Sequence, residues 1–114
     1  MQGSILSFYV HEGDRHDGQM AWEWLLTQAN KRGVGGGSVF RAMAGFGRQH
    51  VLHERKFFEL AGSQILKIEF IVTNDEARDL LALAHHEKLR LFYTHIPVQF
   101  GVVDPASPQP PALE

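Results

Sequence analysis

Two stretches of this chain carry apolar residues at i, i+3, i+4 and i+7, and each stands between runs of strand character. In the first, Trp22, Leu25, Leu26 and Ala29 form one stripe, and Lys31-Arg32-Gly33 supplies a basic last turn and a glycine stop. Trp24 points off that stripe, toward an interface or the surface. In the second, Ala77, Leu80, Leu81 and Ala84 follow Thr73-Asn-Asp-Glu76, a capping-box pattern that starts a helix at Asn74 and carries it to about Glu87. Ile5 to Val10 reads as a buried strand that ends at the turn-rich His11-Glu-Gly-Asp14. Ser38 to Ala44 is a second strand. Ile65 to Thr73 alternates strictly, with Leu66, Ile68, Phe70 and Val72 on one face. Leu91 to Val102 is a last strand, in which Pro97 implies an edge or a bulge.

The order β-α-β-β-α-β packs most economically as an α+β, ferredoxin-like sandwich: a four-stranded antiparallel sheet with two helices on one face. The other face would then carry Lys67 and Glu69 between Ile65 and Ile71. A half-apolar face of this kind is expected to be buried against further copies of the chain, because so small a domain gains a second layer that way. The domain spans 1–103. Residues 104–114 hold four prolines and one large aliphatic residue and are expected to form a flexible tail, in which Pro-Gln-Pro-Pro is a possible polyproline ligand.

With 114 residues, 44% of them hydrophobic, the chain has material for one core. No low-charge stretch reaches membrane-spanning length, and Met1-Gln2-Gly3-Ser4 lacks the basic start of a signal peptide, so a cytoplasmic location is expected. A formal charge of -2 argues against nonspecific nucleic-acid binding. The absence of cysteine excludes disulfides and thiolate zinc sites. No Ser/His/Asp spacing, paired carboxylates or Walker lysine stands out, so the chain is not expected to be an enzyme.

Gly33 to His50 holds six of the 11 glycines. Gly35, Gly36 and Gly37 precede the second strand, where bare backbone lets a flat heterocycle hydrogen-bond to main-chain groups. Gly45-Phe46-Gly47 is expected to turn the other end sharply, and Arg48 opens a polar stretch. Exposed N–H groups and an arginine beside an apolar wall suit a small anionic ligand such as a nucleotide. Gly37 and Arg48 are a strand length apart, so a shared site calls for a subunit interface.

Gly45-Phe46-Gly47-Arg48-Gln49 resembles the base of the T-loop in PII signal-transduction proteins. Counted back without a gap, Gly37, Ser38 and Val39 fall where that family approaches adenine, and Lys67-Ile68-Glu69 resembles its third strand, whose glutamate lies at the nucleotide. To about Val103 the chain is more similar still to a PII-like family, domain of unknown function family 190. It shares that family's opening Glu12-Gly-Asp14-Arg15-His16-Asp-Gly18 and its Arg41-Ala-Met-Ala-Gly45-Phe-Gly47. The resemblance implies a homotrimeric regulator with nucleotide sites in its clefts, a reporting loop from Arg48 to Gly62, and a membrane transporter or channel as partner. Where PII proteins carry a lysine-bearing glycine loop, Ala84-His-His-Glu-Lys88-Leu-Arg90 stands here. AMP or ADP is therefore favoured over the triphosphate, and no cofactor is required. The loop is shorter than a full T-loop and lacks its modified tyrosine.

Each residue also has a plainer reading. Glycine-Phe-glycine makes a turn around an aromatic plug, Arg48 and Gln49 are ordinary loop residues, and Arg41 with Glu69 forms an intersubunit ion pair. Seven histidines admit a metal-binding trimer resembling the divalent-cation tolerance proteins, with His50, His53 and His95 as ligands and His11 or His16 in reserve. His85-His86 suits a helix C-terminus instead. Asp14-Arg15-His16-Asp17 reads as a solvated turn before the first helix.

Overall fold

The computed structural model describes residues 1–46, 52–54 and 64–114, with Phe46 and Leu52–Glu54 described in backbone only. Its elements are β1 (Gln2–His11), β2 (Arg15–His16), β3 (Gln19–Met20), α1 (Ala21–Lys31), β4 (Gly37–Arg41), β5 (Ala44–Phe46), β6 (Leu52–Glu54), β7 (Ile65–Val72), α2 (Asn74–His86) and β8 (Phe92–Gln99). The main sheet has four strands in the order β4-β7-β1-β8. Every neighbouring pair is antiparallel. This is the α+β, ferredoxin-like arrangement that the element order predicts.

The alternation of β1 and β7 decides which face is buried. Leu6, Phe8 and Val10 meet Leu66, Ile68, Phe70 and Val72 under the helices, none more than 3% exposed. Phe8 and Phe70 touch edge to face, their centroids 6.3 Å apart. At about 1.5–3 kcal/mol for each fully buried side chain of this size, the β1–β7 stripe is the main source of cohesion. From above, α1 adds Ala21, Trp24, Leu25 and Ala29, and α2 adds Ala77, Leu80, Leu83 and Ala84.

Both helices stop in the same way. Gly33 takes a left-handed φ of 76°. Its N–H bonds to the Asn30 carbonyl, and Val34 N–H reaches Ala29, both at 3.1 Å. After α2, Lys88 takes the equivalent place with φ 58°, and Leu89 N–H reaches Ala84 at 3.0 Å. These are Schellman ends. The predicted capping box opens α2, with Glu76 N–H donating to the Thr73 hydroxyl at 3.1 Å and Thr73 N–H to the Glu76 carboxylate at 2.9 Å.

Three expectations are corrected. The buried stripe of α1 is rotated, so that Trp24 is core and Trp22 only flanks it. The turn before α1 is a hairpin: β2 pairs with β3 through Asp17 and Gly18, at φ 54° and 80°. Two successive positive φ values match the twist of a tight hairpin. From this hairpin His16 stacks edge-on against Trp24 at 4.5 Å and bonds Glu87 at 3.1 Å, which closes the outer side of the core. The second strand is also shorter than expected, because β5 leaves the main sheet and pairs with β6.

β8 is an edge strand, as Pro97 implies. Met1 and Phe100 exchange reciprocal main-chain bonds at 2.8 and 2.9 Å. Alternation from that pair turns the backbone of Pro97, which faces Ser4, to the outer edge, so its missing N–H interrupts no ladder bond. Residues 101–114 are exposed. The chain nevertheless returns to β8, where the Gln99 side-chain amide donates to Ala112 O at 2.8 Å and accepts from Glu114 N–H at 3.0 Å.

Candidate functional site

Among the described residues the second free edge of the sheet is β4, and Gly37, Ser38, Val39 and Arg41 of the residues expected to meet a ligand lie along it. Ala42 N–H bonds Ile65 O at 2.9 Å in direct register with the β4–β7 ladder. Strict antiparallel alternation then gives the N–H and C=O of Ser38 and Phe40 to β7 and turns those of Gly37, Val39 and Arg41 to the open edge. Val39 thus presents one donor and one acceptor side by side, while its side chain packs on the core. Next to this edge, Leu26, Asn30, Lys31, Gly35, Gly36 and Phe70 are among the residues lining a cavity of about 460 Å³.

The loop glycines are not equivalent. A Cβ on Gly37 would lie 2.6 Å from Phe70 Cε1 and 3.1 Å from Leu26 Cδ2, so core packing already demands glycine there. Gly35 and Gly36 would meet nothing within 4 Å, and neither takes a left-handed φ. Among the described residues, no packing contact requires them to be glycine. Gly45, expected in a sharp turn, is paired with His53 in the β5–β6 ribbon, so the segment there is extended.

Glu69 faces away from the helices. The register sets Thr94, Ser7, Glu69 and Ser38 in one row across the four strands, flanked by a row of Ile96, Ile5 and Ile71 and a row of Phe92, Tyr9, Lys67 and Phe40. Lys67 Nζ lies 3.5 Å from the Glu69 carboxylate and 4.9 Å from the Phe40 centroid. Tyr9 and Phe92 meet edge to face at 5.7 Å. Phe40, Ile71, Phe92 and Ile96 remain about half exposed on this face. Arg41 does not share the face with Glu69: it lies opposite Leu66, on the helix side, so the common face on which an intersubunit ion pair of the two depended is corrected.

Arg41 is instead part of a cluster at the foot of β4 that no linear pattern announces. Its guanidinium donates to Glu12 Oε1 and to Gln64 Oε1, both at 2.8 Å. Gln64 is 2% exposed. Its side-chain amide donates to Ala42 O at 3.1 Å, and its main-chain carbonyl accepts Glu12 N–H at 2.6 Å. One buried residue thereby ties the start of β7, the end of β1 and the departure of β5.

Gly47, Arg48, Gln49 and His50, and most of the loop 48–62, lie outside the described residues, as do the side chains of Phe46 and His53. His95 sits on β8, at the opposite edge from β4, with Nε2 2.7 Å from the Ser4 hydroxyl. Ser4, fully buried, donates to Asn74 Oδ1 at 2.7 Å. Among the described residues no three His, Asp or Glu side chains converge as a metal site. Among them, too, no helix is long and apolar enough to cross a membrane.

Fold and edge together define a small ferredoxin-like domain whose β4 edge, among the described residues, is unpaired and preceded by glycines. The chain belongs to the DUF190 family, described as an uncharacterized ACR, whose match covers residues 3–93. It is similar to a UPF0166 protein of Aquifex aeolicus, 30% identical over 77 residues, 68% of this chain and 73% of that one. A UPF0166 protein of Methanocaldococcus jannaschii is 26% identical over 47 residues, 41% of this chain and 44% of its own.

Proposed function

We propose that this chain is a PII-like, cytoplasmic regulator that binds an adenine nucleotide, AMP or ADP, between the subunits of a homotrimer. Occupancy is reported through the loop 48–62 to a partner such as a membrane transporter or channel. Its output is a change of partner fit, not turnover. The observation that carries the reading is the open edge of β4: the Val39 N–H and C=O match the donor–acceptor edge of adenine, and Gly35 and Gly36 leave room beside them for a flat ring. The half-exposed apolar rows around Glu69 support burial against neighbouring copies. A site shared between copies is what the strand-length separation of Gly37 and Arg48 along the chain calls for.

Calorimetry or equilibrium dialysis with AMP, ADP, ATP and cyclic nucleotides tests the reading. AMP or ADP is expected to bind at micromolar to low-millimolar concentration. Failure of all of them to bind at millimolar concentration removes it. Stoichiometric copper or zinc, lost on replacing His50 and His53 by alanine, would favour the metal-binding trimer in its place.

A further inference from the structure

The Arg41 guanidinium is held at two points of different character. Gln64, neutral and buried, takes one terminal nitrogen and fixes the plane of the group. Glu12 takes the other through a charged contact of 2.8 Å, and the Arg41 side chain there is 53% exposed. The first contact positions the group; the second neutralises it where solvent and ligands have access. A guanidinium presents donors in a planar fork that fits a phosphate as well as a carboxylate, so the two anions compete for one set of N–H groups. An ion pair this exposed adds little to stability, and exchanging its carboxylate requires no opening of the core.

The backbone of Arg41 belongs to the same open edge as Val39, two residues or about 7 Å along the strand. With the base of a nucleoside monophosphate at Val39, its phosphate falls within reach of the Arg41 side chain. We infer that Glu12 is an internal competitor for the phosphate of the bound nucleotide: it occupies the Arg41 guanidinium in the empty protein and must be displaced for a phosphorylated ligand to bind. The inference deepens the nucleotide reading and rests on it. It makes Glu12 a specificity residue, one that weakens phosphorylated ligands and leaves the bare nucleoside untouched.

The test compares adenosine, AMP and ADP by calorimetry at fixed ionic strength on the wild-type chain, Glu12→Gln, and Glu12→Gln combined with Arg41→Gln. Glutamine keeps an acceptor for Arg41 and the main-chain N–H to Gln64, so the fold is retained, and a thermal melt verifies this. Removing the competing charge is expected to tighten AMP and ADP about fivefold while adenosine changes less than about twofold. Adding Arg41→Gln should abolish the gain. A purely structural effect of Glu12 would shift nucleoside and nucleotide alike. Equal shifts, or no gain for AMP and ADP, overturn the inference and leave the nucleotide reading standing. If no chain binds any of the three ligands, the nucleotide reading fails and this inference fails with it.

Discussion

Gly36 and Gly37 are adjacent in the chain, yet different forces keep them glycine. At Gly37 an added methyl would enter the space of the Phe70 ring, so Gly37→Ala should destabilise by about 1–3 kcal/mol in urea titration, whatever it does to ligands. At Gly36 the same change meets nothing among the described residues, and stability should stay within about 0.5 kcal/mol of the parent or rise slightly. A loss of nucleotide affinity in Gly36→Ala therefore reports on binding, whereas the same loss in Gly37→Ala reports on the core. The glycine cluster is legible in the sequence, but the difference between the two is not, since it depends on where Phe70 lies. Gln64 is not legible there for a similar reason. A single amide among polar residues has no periodicity, and its burial follows only from the meeting of β1, β4 and β7.

Among the elements, both helices, the glycine stop of α1, the capping box of α2 and the four main strands were legible because each carries a repeating pattern or a local start or stop signal. The rotated stripe of α1 was not. Positions 22, 25, 26 and 29 and positions 21, 24 and 25 both satisfy helical spacing, and what selects the second set is the hairpin that presses His16 onto Trp24. Asp17-Gly18, a strong turn dipeptide, was the available signal for that hairpin. The stop after α2 yields a direct test. Lys88 holds a left-handed φ of 58° where glycine is at ease, so Lys88→Gly should raise stability by about 0.5–1 kcal/mol, read as a shift in denaturation midpoint. A midpoint that does not move would mean that the turn relaxes at no cost to the chain.

For the molecule as a whole, family membership and the sheet are established, and the proposed assembly is to be tested at the half-exposed face around Glu69. If three copies bury it, replacing Phe92 and Ile96 together by lysine should lower the light-scattering mass from three chains to one and leave the far-UV circular dichroism unchanged. A wild-type chain that runs as a monomer would remove the trimer. The candidate site was legible as far as Gly37, Ser38 and Val39 sit on one strand. The register that turns Val39 outward required the partner strand, which no linear pattern supplies. The two rims of the sheet also differ in what they accept. Among the described residues, Pro97 interrupts the outer side of β8, whereas β4 offers an unbroken run of hydrogen-bonding groups. Rim-to-rim pairing is therefore favoured between two β4 strands, which closes after two. One imino acid thus weighs against growth into fibres, the usual hazard of naked sheet borders.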